Sequence, residues 1–237
     1  MSLKAAEELF DYGLLDVIKI GSGEMTDIPS LIKMTEFKKP MIVSTGMCTF
    51  DEIDETYEAL VDVGAELALT NCVSEYPPVY EDINLHVINS MQARYRSAII
   101  GHSDHTPTLY TAFGAVMLGA KIIEKHVIVD KLIPGPDQAV SIDFNEFRQL
   151  VDGIRILEAA SGNIKKVHEK ESSIRSWAFR SIVSCCQIKK GTKITGDMIW
   201  SKRPGTGIPS KRRDEVIGRV AAKDIQENVL LAWDDLV

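Results

Sequence analysis

The stretch AIIGHSDHT (98–106) is a short apolar run broken by a glycine and followed at once by two histidines, a serine and an aspartate. Four further runs of the same apolar character recur along the chain: DVIKI (16–20), PMIVS (40–44), ELALT (66–70) and KIIEKHVIV (121–129). Each has the length and the branched, apolar make-up of a buried strand. Between them, DEIDETYEALVDVG (51–64), NLHVINSMQARY (84–95) and LYTAFGAVMLGA (109–120) carry apolar residues at helical spacing. Apolar strands alternating with helices predict a parallel sheet covered on both faces, hence an α/β fold.

The chemistry-bearing residues follow the strands rather than precede them. GSGE (21–24), STGM (44–47), NCVSEYP (71–77), HSDHT (102–106), EKH (124–126) and PGPD (134–137) lie at or beyond strand ends, whereas EFKKP, DVGA and YRSA before the strands carry less. Parallel α/β folds gather function at the carboxyl ends of their strands, so these clusters fall on one rim.

The helix predicted over 144–160 closes this first domain at residue 162. SGNIKKVHEKESS is polar and charged and reads as a linker over 163–175. Residues 176–237, with SIVSCCQI, GTKIT, KRPGTGIP and GRVAAKDI, hold short strand-like pieces broken by Gly and Pro, the pattern of a small, mostly β domain. With 237 residues and 45% hydrophobic content the chain can bury one large core and a small second one. A net charge of −7 argues against a nucleic-acid binder. No apolar run reaches the roughly 20 residues that span a bilayer, and the first residues lack a signal-peptide pattern, so a cytosolic protein is expected. Cys48, Cys72, Cys185 and Cys186 have no CxxC spacing and read as reduced thiols rather than a zinc framework.

Several residues stand out, each with two readings. His105 and His126 end consecutive strands; they are either a pair of imidazoles for a divalent ion such as Mn, Fe, Co or Zn, or hydrogen-bonded core histidines. His102, Asp104 and Glu124 are candidates for fixing their tautomers. His86 and His168 read as solvated. Lys19 alternates onto one strand face and needs an anion there, phosphate or carboxylate, with a Schiff-base lysine as the rival reading. GSGE is either an anion cradle or a tight turn. Cys72 ends a strand without a base in its own loop.

In order along the chain, IKIGSGE (18–24), STGM (44–47), CVSEYP (72–77), YEDINL (80–85), IIGHSDHT (99–106), IIEKH (122–126) and PGPD (134–137) resemble the sialic acid synthase family, which includes N-acetylneuraminate, legionaminate and pseudaminate synthases and the spore coat polysaccharide protein E group. GTKIT, KRPGTGI and GRVAAKDI resemble the antifreeze-like SAF domain that follows the barrel in that family. The resemblance implies a partial TIM (β/α)8-type barrel of about five βα units and a small SAF domain. It implies a metal-dependent condensation of phosphoenolpyruvate with an open-chain N-acetylated amino sugar such as N-acetylmannosamine, giving a nine-carbon 2-keto acid and phosphate. Mn2+ is the expected metal, with Mg2+ or Co2+ as alternatives, and no lysine adduct is needed.

Carried over by motif, His105 and His126 match the metal ligands, and Lys19, Ser22, Ser74 and Ser103 match groups that hold phosphoenolpyruvate. Glu24, Tyr76 and Asp137 match groups that hold the sugar, with Glu24 grouped with the two histidines as catalytic. Arg203 and Trp177 match residues that one subunit of a domain-swapped homodimer lends to the site of the other. The five strands match the fourth to eighth of the family barrel. The chain is therefore expected to be inactive alone, as the piece of a truncated gene, as one subunit of a split synthase whose N-terminal half is a separate polypeptide, or as a non-catalytic sugar- or anion-binding remnant; a dimer that covers the open strand edges is the further alternative. A metal-dependent hydrolase barrel is the third reading, which the motif order does not favour.

Overall fold

A computed structural model describes residues 2–237, which divide into two compact units, residues 2–162 and 163–237. The first unit alternates helix and strand in chain order: α1 (Leu3–Asp11), β1 (Ile18–Ile20), α2 (Ile28–Met34), β2 (Met41–Ser44), α3 (Phe50–Asp62), β3 (Leu67–Cys72), α4 (Val87–Arg94), β4 (Ile99–Asp104), α5 (Tyr110–Met117), β5 (Ile123–Lys125) and α6 (Phe144–Ala160). The five strands form one parallel sheet in sequence order. Two of the helices begin at reciprocal caps readable in the sequence. Thr49 with Glu52 opens α3, and Asp143 with Glu146 opens α6, each carboxylate returning to the cap N–H at 2.8 and 2.9 Å.

Register fixes which side chains share a face. Ile18, Ile20, Met41, Val43, Leu67, Leu69 and Ile100 belong to the main core with α2, α3 and α4 residues such as Leu31, Leu60 and Ile88. The alternate positions, Lys19, Ser44, Cys72, Ser103 and Glu124, point the other way, because successive strand residues face opposite sides. A flat five-stranded sheet would hold β1 and β5 about 19 Å apart. Instead Lys19 on β1 reaches Glu124 on β5 at 3.3 Å, so the sheet curls into a half-barrel. β1 and β5 are each paired on one edge only. A cleft of about 720 Å³ runs along this open side, with Lys19, Ile42, Glu124, Phe147 and Ile154 among its walls.

Three strand ends differ from the sequence reading, and the first is β3, read as ending at residue 70, which runs on through Asn71 and Cys72 because these pair with His102 and Ser103. β4 continues through His102, Ser103 and Asp104, because His102 pairs with Asn71 and Ile123, Ser103 with Cys72 and Glu124, and Asp104 with Lys125. The run read as a strand over 121–129 shortens to three residues because β5 has one neighbour; beyond it His126 O accepts from Ile142 N at 2.9 Å and Val127 bridges Ile142.

In the second unit the stretch read as a linker over 163–175 is helical from residue 169, within α7 (Glu169–Ala178), which runs three residues past it, and β6 (Ser181–Ser184) pairs antiparallel with β7 (Ile199–Lys202). Isolated bridges such as Val183 to Leu230 and Lys193 to Val220, with the short helix α8 (Arg213–Val216), enclose a core of Ile182, Ile188, Ile194, Ile199, Ile208 and Leu231. Among the described residues no helix is long and apolar enough to cross a membrane.

His102 is buried in the sheet with Nδ1 donating to Asn71 O at 3.0 Å, and burial holds its imidazole below the usual range against the opposing charge of Asp104. Below about pH 6.5 the unfolded chain takes up a proton that this folded imidazole refuses, so its share of stability is lost as pH falls through that value. His126 has the same sign and His105 the opposite one. His102→Gln is expected to flatten the fall of melting temperature between about pH 7.5 and 5.5, read by circular dichroism; an unchanged slope would contradict this.

Candidate active site

The rim of the half-barrel is built from the turns after its strands. After β1, residues Ser22–Glu24 form a single 3-10 turn rather than an open glycine loop. Ser22 Oγ lies 3.0 Å from Ser44 Oγ and accepts the Gly46 N–H at 3.0 Å. Gly46 is required by space: a Cβ there would come 2.3 Å from Ser74 Oγ, 2.6 Å from Ser22 Oγ and 3.2 Å from Cys72 Sγ. Three small polar side chains thus converge on one glycine. Ser103 lies between Cys72 and Glu124 in register, on the same face. Lys19, besides its ion pair with Glu124, donates to Ile20 O at 2.9 Å. Glu24 is exposed on this rim, and its carboxylate lies 2.9 Å from where a Cβ of Gly21 would stand.

Beside this cluster stands an aromatic one. His105 and His126 have ring centroids 5.3 Å apart. Tyr76 stacks on His105 at 4.1 Å and meets His126 edge-on at 5.7 Å. His105 Nδ1–H donates to Val73 O at 2.7 Å, which leaves Nε2 to carry the lone pair. His126 Nδ1 lies 3.6 Å from Asp137 Oδ2. The two imidazoles are pushed apart in basicity. Burial lowers both, but at His105 contacts with Cys72 and Val73 O outweigh it and the imidazole is raised, whereas at His126 burial prevails and Asp137 only moderates it. Burial also pushes the Tyr76 hydroxyl up, helped by the charges of Cys72, Asp137 and Glu124.

The partner that Cys72 lacks in its own loop comes from the next strand: His105 Nδ1 lies 3.9 Å from Cys72 Sγ, and because its N–H is given to Val73 O it faces the sulfur as a donor, not as a base. Burial raises the thiol, yet hydrogen bonds from His105 and Ser44 outweigh it and bring Cys72 to about 7. The tautomer of His105 is fixed by Val73 O, not by the candidate groups. His102 turns to Asn71 O, Asp104 pairs with Lys125, and Glu124 pairs with Lys19. His86 and His168 are exposed. In the second unit Arg203 lies over the Trp177 ring at 5.1 Å and donates to Ala178 O at 2.9 Å. Ser44, Gly46 and Lys125 were not singled out by the sequence reading; the strand parity of Ser44 and the absent Cβ at STGM were the available signals.

Could this rim hold a divalent ion? Two imidazoles, one with its tautomer fixed and the other kept neutral, suit an ion that draws its remaining ligands from water or substrate oxygens. Among the described residues no group of three His, Cys, Asp or Glu side chains forms a complete protein cage.

Five parallel βα units curled around a polar rim are the architecture of a (β/α)-barrel with its chemistry at the strand ends. The chain belongs to the NeuB family, which it matches over residues 1–166, and it carries a SAF domain over residues 179–237. It is 35% identical over 233 residues to the N,N'-diacetyllegionaminic acid synthase of Campylobacter jejuni, covering 97% of this chain and 69% of that one. It is 39% identical over 221 residues to an uncharacterized protein of Methanocaldococcus jannaschii, covering 92% of this chain and 65% of that one. The crystal structure of the spore coat polysaccharide biosynthesis protein SpsE from Bacillus subtilis aligns with a TM-score of 0.62 at 31% identity, over 99% of this chain and 71% of that one. The chain thus spans about two thirds of the length of these relatives.

Gly46→Ala is expected to keep the fold while displacing Ser22 and Ser74. Binding of inorganic phosphate to the full chain, followed by calorimetry, should weaken by about tenfold or more, the scale of one lost charged hydrogen bond; unaltered binding would show that the serines do not form an anion pocket.

Proposed function

We propose that this chain serves the condensation of phosphoenolpyruvate with the open-chain form of an N-acetylated amino sugar, releasing phosphate and a nine-carbon 2-keto sugar acid. One observation carries the reading: hydroxyl and N–H groups of Ser22, Ser44, Gly46 and Ser74 converge beside the His105, His126 and Tyr76 cluster on one rim. Lys19 supplies the cationic charge for the carboxylate or phosphate of phosphoenolpyruvate, and Ser22, Ser74 and Ser103 donate to its oxygens. Glu24, Tyr76 and Asp137 hold sugar hydroxyls, which orients the aldehyde toward carbon 3 of the enol. His105 through Nε2 and His126 through its neutral ring are the residues that would hold Mn2+, with Mg2+ or Co2+ as the other ions of this class. Such an ion, when bound, supplies Lewis-acid polarisation of the aldehyde oxygen.

The reading extends to a cytosolic homodimer in which the second unit of one copy lends Arg203 and Trp177 to its partner's site. A monomer in solution, by mass measurement, would remove that part. The unpaired edges of β1 and β5 favour a chain that needs further strands for turnover, such as those of a separate N-terminal half.

His105→Ala and His126→Ala are each expected to abolish stoichiometric Mn2+ uptake by the full chain, read by the paramagnetic resonance of free Mn2+; uptake at the wild-type level would return both to the role of core histidines. Phosphate release from phosphoenolpyruvate with N-acetylmannosamine and Mn2+ is expected to be slow or absent for this chain alone. Co-expression with a polypeptide supplying the first three barrel strands should restore it, and full turnover without them would refute the need for closure.

A further inference from the structure

On the helix side of β4 and β5 an ion pair interrupts the apolar layer. Asp104 and Lys125 are register partners, their charged groups lie 3.2 Å apart, and their side chains are 1% and 2% exposed. Neither charge is left with idle hydrogen-bonding capacity. Asp104 Oδ1 accepts the Thr106 N–H at 2.8 Å, and Oδ2 accepts the Thr111 hydroxyl at 2.8 Å. Lys125 Nζ donates to Thr106 O and lies 3.4 Å from Thr106 Oγ1, which in turn lies 2.9 Å from Thr111 Oγ1. Both polar groups of the Thr106 backbone are therefore tied to the pair, one to each member.

The sequence positions give the arrangement its meaning. Asp104 immediately precedes His105, Thr106 immediately follows it, and Lys125 immediately precedes His126. Asp104 and Lys125 end their strands with the pair turned toward Thr111 of α5, and the next residue of each, His105 and His126, turns its ring to Tyr76 on the rim. A clamp on residues 104, 106 and 125 from behind is thus a clamp on the direction of both rings in front. A buried ion pair is weak evidence for stability, since apolar replacements of similar volume are often as stable, so geometry is the more economical explanation for its presence.

We propose that Asp104 and Lys125 are positioning residues: their buried pair locks the backbone around Thr106 and thereby aims His105 at His126 and against Tyr76. Its consequence for metal holding rests on the reading of the two histidines given above; its consequence for ring placement does not.

The experiment uses the full chain and two readouts. The double variant Asp104→Asn with Lys125→Met removes both charges, so that neither is left buried and unpaired, and its melting profile checks that it folds. In the wild type, the His105 ring protons, assigned by loss of signal in His105→Gln, should be displaced upfield by the stacked Tyr76 ring. In the folded double variant this displacement is expected to shrink toward the value of an unstacked histidine, and Mn2+ affinity to fall about 10–100-fold. Thr111→Val, which removes one hydroxyl from Asp104 and keeps both charges, is expected to move the same resonance in the same direction by less, and serves also if the double variant does not fold. An unmoved His105 resonance in a folded double variant, or in Thr111→Val, overturns the proposal. A wild-type chain with the displaced resonance but no Mn2+ uptake would refute the metal reading and leave the positioning role supported.

Discussion

The two-residue period of a parallel strand is the constraint on which the rest of the first unit depends. On β1 to β4, Ile18, Ile20, Met41, Val43, Leu67, Leu69 and Ile100 are buried under the helices. Each such side chain contributes about 1.5–3 kcal/mol when fully buried, so the set holds the register firmly. A slip of one residue would turn every one of them to the wrong face. Lys19, Ser44, Cys72, Ser103 and Glu124 occupy the intervening positions and are placed by the same register at no separate cost. The core and the rim are therefore two readings of the same strands, and a core substitution that shifts register would disorder the chemistry and expose apolar surface together.

The helix face of β4 and β5 is where this division breaks down. His102, Asp104 and Lys125 are polar, yet lie among apolar residues. Burial pulls the Lys125 ammonium below its usual range, and Asp104 opposes that pull. Asp104 and Lys125 survive there because Thr106 and Thr111 match them, whereas His102 is held by Nδ1 alone, its Nε2 being buried without a partner. Natural sequences break a local rule of patterning where a site needs it, and both imidazoles are one residue away.

That break also explains what could and could not be read from sequence. The existence and order of the five strands follow from apolar runs separated by helical spacing, and the rim follows from the position of polar residues after those runs. The end of β4 did not follow, because HSD has loop composition; only the pairing of His102 and Ser103 on both sides makes it strand. The contraction of β5 has the converse cause, since an apolar run cannot reveal that it has one neighbour. Convergence across strands was equally hidden. Cys72 and His105 are 33 positions apart, and their contact depends on register, which no single strand records. The lysine at 19 was legible as a cation in want of an anion, but its partner on β5 depends on the curl of the sheet.

The two lysines that define the half-barrel show how one fold assigns different tasks to like charges. Lys125 is sealed, its partners are fixed, and replacing Asp104 alone would leave its charge buried without compensation. Lys19 is 33% exposed and its partner Glu124 40%, so the pair is partly open to solvent, although the Glu124 Oε2 that faces the ammonium is itself buried. On the proposed function an incoming anion competes with Glu124 for Lys19, and the displaced Oε2, which is buried here, has to turn out to water. A pocket for a doubly charged ligand needs a cation that is held near but not satisfied too well. Had the buried and the exposed positions been interchanged, the fold would keep its charge and lose the means to use it.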